Sequence, residues 1–234
     1  MVHARSQWLA AVLIAVALAG AVGASEPEYI IGGGGAGFGL SMPDLAEINE
    51  FVDGAGFAPF GDRMMLIGGG GRGGFVPGPM FGGAGWGAWI ESRRGNFHAE
   101  YGVGLGGFDM GYGIGGTERS VLTIGAVVGG GGAEVVLTED PVPTNQGIGS
   151  RGVVVEPTRQ VYDSAFAFVA PYLDVQIQLL DWMGFAVRAG YVLPLFELNG
   201  QDQGPLYAPA LALAGPYVRV SVVFGAITAV DAEI

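Results

Sequence analysis

The feature that most constrains this chain is a two-residue alternation laid over glycine, clearest in residues 98–128. Ala99, Tyr101, Val103 and Leu105 fall on one face of an extended ribbon, and His98, Glu100, Gly102, Gly104 and Gly106 on the other. Side chains of a strand point to opposite faces in turn, so the ribbon is greasy on one side and small or charged on the other. After Gly106-Gly107 the phase changes, and Phe108, Met110, Tyr112 and Ile114 become the large set. A bulge at the glycine pair would keep all the large groups on one face. A bulky apolar outside over a small, polar inside is the pattern of a transmembrane β-barrel.

Composition narrows the reading further. Gly accounts for 45 of 234 residues, yet half the chain is apolar and no Gly-X-Y period runs through it, which excludes collagen and simple disorder. With no Cys, disulfides and thiolate metal sites are excluded. All ten basic residues are Arg and the formal charge is -12, the wrong sign for a partner made of phosphates, so nucleic acid is not expected.

Residues 1–24 read as a signal peptide. His3 and Arg5 precede an apolar run from Trp8 to Val22, and small residues follow up to Ala24. At about 15 residues the run is short for a membrane span, which needs roughly 20. The remainder, 25–234, is predicted as a single domain outside the cytoplasm.

Along that domain the same alternation marks eight strands: 29–39, 63–75, 80–92, 98–114, 121–137, 169–179, 185–191 and 218–224. A short amphipathic helix is predicted over 43–53. Ser41 would cap it, Pro43 suits its first turn, and Leu45, Ile48, Phe51 and Val52 form its apolar stripe. A glycine-floored sheet is its natural partner. Segments 138–160 and 194–216, Pro-containing and without period, are expected to be long loops. Trp86, Trp89, Tyr101, Trp182, Tyr191, Tyr217 and Phe224, near strand ends, would form interfacial aromatic belts.

Few residues suggest chemistry. Gly32, Gly34 and Gly37 match G-x-G-x-x-G with Asp53 beyond, but no βαβ alternation follows, so no dinucleotide is expected. His98 is the one histidine after the leader, and neither a Gly-x-Ser-x-Gly elbow nor a Cys nucleophile is present. No catalytic, cofactor or metal site follows. Glu100, Asp174, Gln176, Arg188 and Arg219 fall on the less apolar faces of their strands. Inside a narrow barrel such groups must pair with one another, so they are predicted to form an interior polar network.

The leader, the alternating strands and Val218-Arg-Val-Ser-Val-Val-Phe224 resemble small bacterial outer-membrane β-barrel proteins. The stretch from Asp44 to Gly71, a helix followed by Gly-Phe-x-Pro and Ile-Gly-Gly-Gly-Gly, looks like uncharacterised Gly-rich envelope proteins of that style. Such barrels usually finish on an aromatic residue, whereas here residues 225–234 follow Phe224. The fold expected is all-β: an antiparallel up-and-down barrel of about eight strands with one short helix. The function expected is non-enzymatic, in the outer membrane, with lipid around it and either a structural role or a small apolar ligand or partner. The alternative is a secreted soluble β-sandwich acting as a surface or adhesion module, since alternation alone is common to both.

Overall fold

The computed structural model describes residues 28–141, 157–198 and 211–230. The predicted signal peptide and the middles of both predicted loops, 142–156 and 199–210, lie outside these residues. The strands are β1 (Tyr29–Ser41), β2 (Met64–Val76), β3 (Gly78–Arg94), β4 (Phe97–Thr117), β5 (Ser120–Glu139), β6 (Thr158–Leu180), β7 (Met183–Glu197) and β8 (Gly215–Ala229). Helix α1 (Ala46–Gly54) lies between β1 and β2, and a single 3-10 turn, Leu211–Leu213, precedes β8. Each strand pairs antiparallel with the next, and β1 pairs with β8 along its whole length, so the sheet closes into a barrel. An up-and-down barrel is thus the fold, and the two-sheet sandwich is excluded.

The connections sort by end. The link from β2 to β3 at Pro77, Glu118-Arg119 and Asp181-Trp182 make tight reversals at one end, the turn end. The helix, both long connections, from β5 to β6 and from β7 to β8, and one tight turn, Gly95-Asn96 between β3 and β4, sit at the other, the loop end.

Several sequence expectations need correcting. No bulge occurs at Gly106-Gly107, because β4 pairs with β3 without a break from Phe97 to Gly113; the irregularity falls at 113–115 against β5. The greasy face Ala99, Tyr101, Val103 and Leu105 therefore points into the barrel, where all four are buried, while Phe108 and Met110 point out. The change of phase reflects a change in what fills the interior, not an extra residue. Likewise β5, β6 and β7 extend into the predicted loops 138–160 and 194–216.

The helix begins later than its predicted 43–53. Sheet pairing holds the preceding residues extended: Ser41 pairs with Tyr217, the Met42 N–H donates to the Pro216 carbonyl (3.0 Å) and that of Asp44 to the Ala214 carbonyl (3.1 Å). Ser41 is thus the end of a strand and caps nothing. Nor does α1 lie on bare glycine. Leu45, Ile48 and Val52 join Phe57, Phe60, Tyr101 and Phe166 in one apolar cluster at the loop end of the interior. Phe60 packs on Tyr101 and Phe57 edge-on to Phe97, with ring centroids 6.1 and 5.2 Å apart. Asn49 fastens the helix by accepting from the Phe60 N–H (2.7 Å) and donating to its carbonyl (3.1 Å).

Glycine has a definite task on the inner wall. A Cβ at Gly35 would lie 1.8 Å from the Val222 carbonyl oxygen, so the β1–β8 closure requires its absence. At Gly125 a Cβ would lie 2.5 Å from the Tyr172 hydroxyl, and at Gly190 it would lie 2.7 Å from the Tyr217 ring. Small residues here make room for large ones opposite, which is how a ring of eight strands fills its interior.

Candidate functional site

The interior is layered. Next to the helix is the large apolar cluster, with Trp86, Phe166 and Phe168 among its members. At the turn end Ile31, Val76, Met80, Val121 and Ile227 form a second apolar cluster. Between the two lies a belt of charge, which is the candidate site.

Asp174 on β6 is its centre. One carboxylate oxygen accepts from Arg72 Nη2, and the other accepts from Arg188 Nε at 3.0 Å. Asp109 on β4 is the second anion. Its Oδ1 accepts from the Tyr172 hydroxyl, and its Oδ2 lies 2.9 Å from Arg188 Nη1, an ion pair whose angle falls short of a hydrogen bond. The Arg188 guanidinium also lies over the Tyr172 ring, 3.7 Å from its centroid. Arg72 Nη1 donates weakly to the Tyr172 hydroxyl (3.4 Å). Register brings these groups together: Asp174 is the cross-strand partner of Arg188, and Arg188 of Arg219. A buried charge has to be paired, as Arg72, Arg188, Asp109 and Asp174 are.

Of the five residues predicted for this network, Asp174, Gln176, Arg188 and Arg219 are buried in the barrel. Glu100 is not. Its side chain is 48% exposed on the outer face beside His98 (3.6 Å), against 3% for Asp174. The supposed bulge misplaced it, since continuous alternation puts even-numbered residues of β4 outside. Asp109 shares the inner face with Tyr101 and Leu105, and its place between the outward Phe108 and Met110 is the signal that could have found it. Arg72 could have been found as the one charged side chain in the glycine run of β2, in phase with Met64 and Leu66. Tyr172 was visible as the residue sharing a face with Asp174.

The aromatic expectation divides in the same way. Trp89, Trp182, Tyr191 and Phe224 are exposed, and Trp182 stacks on Phe224 with centroids 6.1 Å apart. Trp86, Tyr101 and Tyr217 are instead interior residues. The glycines of the G-x-G-x-x-G match lie within β1, with no strand-to-helix turn for a phosphate, and Asp53 pairs with Arg94 (2.9 Å). Among the described residues no group of three or more His, Asp or Glu is placed to hold a metal ion.

A cavity of about 40 Å³ opens along the charged belt. Its lining includes Arg72, Asp109, Asp174, Gln176, Arg188 and Arg219, with bare backbone at Gly33–Gly35. Such a space is polar and of the size of one or a few small molecules or ions.

No family model matches the chain, and no curated protein matches it. Solved structures do. The crystal structure of Ail, the attachment invasion locus protein of Yersinia pestis, matches at 12% identity and a TM-score of 0.40, over 86% of this chain and 99% of that one. Ail in complex with the heparin analogue sucrose octasulfate matches at 10% identity and a TM-score of 0.43, over the same shares. At these scores the likeness bears on no residue, ligand or partner of this chain.

Proposed function

We propose that this chain is a non-enzymatic envelope barrel seated in the bacterial outer membrane, which acts through the elements at its loop end. The observation that carries the reading is the outer face. From Ile30 to Leu40, Met65 to Phe75, Pro79 to Trp89 and Phe185 to Leu195, the outward residues of β1, β2, β3 and β7 carry no charge. Ile30, Phe38, Ile67, Phe75, Phe81, Trp89, Phe185 and Leu195 among them are exposed. A run of this length extends about 33 Å along a strand, or roughly 23 Å in height at a 45° tilt. A lipid-facing band is about 25 Å tall. Outward charges gather beyond it at the loop end, at Glu91, Arg93, Glu100, Glu134 and Asp163. Water would leave so large an apolar surface unsatisfied, whereas lipid covers it.

The filled interior directs the rest of the reading. Helix α1 and its aromatic neighbours occupy the mouth, and charged pairs occupy the middle, so an apolar ligand finds little room inside the barrel. Partner binding is assigned to the loop end, and the barrel serves as its anchor. The test is to express the chain and fractionate the cells. It is expected with outer membranes, extracted only by detergent, and running as a heat-modifiable band. A monomer that stays in aqueous solution without detergent contradicts the proposal.

A further inference from the structure

The charged belt does not balance. Among the described residues it holds three guanidiniums, Arg72, Arg188 and Arg219, against two carboxylates, Asp109 and Asp174. All four carboxylate oxygens are engaged: those of Asp174 with Arg72 and Arg188, those of Asp109 with Tyr172 and Arg188. Arg219 is the cation left over. It is 8% exposed, its Nε has no hydrogen-bond partner, and no carboxylate of the described residues forms an ion pair with it. Among the described residues its one cation–π contact is with Trp86, whose ring centroid lies 5.9 Å from the guanidinium carbon, near the outer limit for such a contact.

A buried ion without a counter-charge is costly, and proteins avoid it by pairing or by binding an ion. Arg219 lines the cavity described above, together with Gln176, Ser221, the two paired arginines and their carboxylates Asp109 and Asp174, whose oxygens are already engaged. From these observations we infer that the cavity binds one small monovalent anion of about the size of chloride, with Arg219 as its principal partner. The charge sets the valence: one negative charge neutralises the excess, a divalent anion reverses it, and a cation meets net repulsion. The volume admits such an ion, with room beside it for a water or two. The donors suit an anion as well, being a guanidinium, a hydroxyl at Ser221 and an amide at Gln176. Water could satisfy the hydrogen bonds but would not cancel the charge. The inference rests on the interior alone and does not depend on which solvent surrounds the barrel.

The experiment uses the full chain folded in detergent micelles, with sodium gluconate as the starting salt. Chloride replaces gluconate at constant ionic strength while the unfolding midpoint is followed. A saturable rise in midpoint is expected, as for any ligand that binds the folded state alone. Arg219→Gln should lose that rise, and Arg93→Gln, a change at an exposed arginine, should keep it. Crystals of the unsubstituted protein soaked in bromide give a reading that does not depend on the folding of the variant. An anomalous peak within hydrogen-bond reach of the Arg219 guanidinium is expected. A midpoint indifferent to chloride, a rise that Arg219→Gln retains, or bromide data with no peak beside Arg219 would overturn the inference.

Discussion

Asp174 joins two guanidiniums at once, so its removal leaves two arginines short of a partner in a dry interior. Asp174→Ala should destabilise the barrel by about 3–5 kcal/mol, the usual cost of breaking a buried pair from one side. Glu100→Ala removes a half-exposed carboxylate on the outer face and should change stability by no more than about 0.5 kcal/mol. Denaturant titration of both variants in the same micelles checks the contrast; equal losses would put Glu100 back in the network. Glycine offers a second contrast. Gly35→Ala places a Cβ 1.8 Å from the Val222 carbonyl oxygen, while one at Gly102 has no heavy atom within 4 Å. The first should impair closure of β1 on β8 and lower folding yield, and Gly102→Ala should fold as the parent does, with the heat-modifiable fraction as the readout. Parity explains which of these residues were legible. Asp174, Gln176, Arg188 and Arg219 lie in cleanly alternating strands, whereas in the first half of β4 glycine hid the phase and set Glu100 inside; Asp109, between Phe108 and Met110, was legible from the same alternation.

At the scale of elements, α1 and the loop-end half of the barrel explain each other. Helix residues Ile48 and Val52 are buried against Phe57, Phe60 and the inward aromatics, so the interior there has to be apolar. That requirement puts Tyr101, Val103 and Leu105 inside, where a water-filled barrel would carry polar groups. The helical stripe was readable from spacing, but its partner was not, because an amphipathic helix records only that it covers something apolar. Its start was lost to sheet pairing of residues 41–44, which is a tertiary contact. β6 shows a similar limit: Phe166 and Phe168 alternate with Ala165 and Ala167 well before the predicted start at 169, and face inward toward the same cluster. Ile48→Ala should cost about 2–5 kcal/mol, the range for truncating a buried aliphatic side chain. Unfolding of that variant beside the parent checks it; no loss would mean that the helix does not pack on the barrel.

For the whole molecule, two apolar layers enclose a charged belt, and the outside presents a second apolar surface. The chain is therefore greasy on both faces of its sheet, which explains its high apolar content despite its many glycines. The eight-strand count and closure followed from alternation and turn spacing, while the inside and outside of each strand depended on phase and failed where phase was ambiguous. A ring so filled should not conduct: in planar bilayers the protein should show no steady ion current, in contrast to a water-filled channel. The central claim is that outward residues meet acyl chains and the plugged interior does not. The tryptophans test it directly, since Trp89 is 50% exposed on the outer face and Trp86, three residues earlier, is 6% exposed inside. In vesicles of brominated lipid, a variant retaining only Trp89 should be strongly quenched and one retaining only Trp86 should keep its fluorescence. Quenching of Trp86 with Trp89 spared, or of neither, would contradict the account.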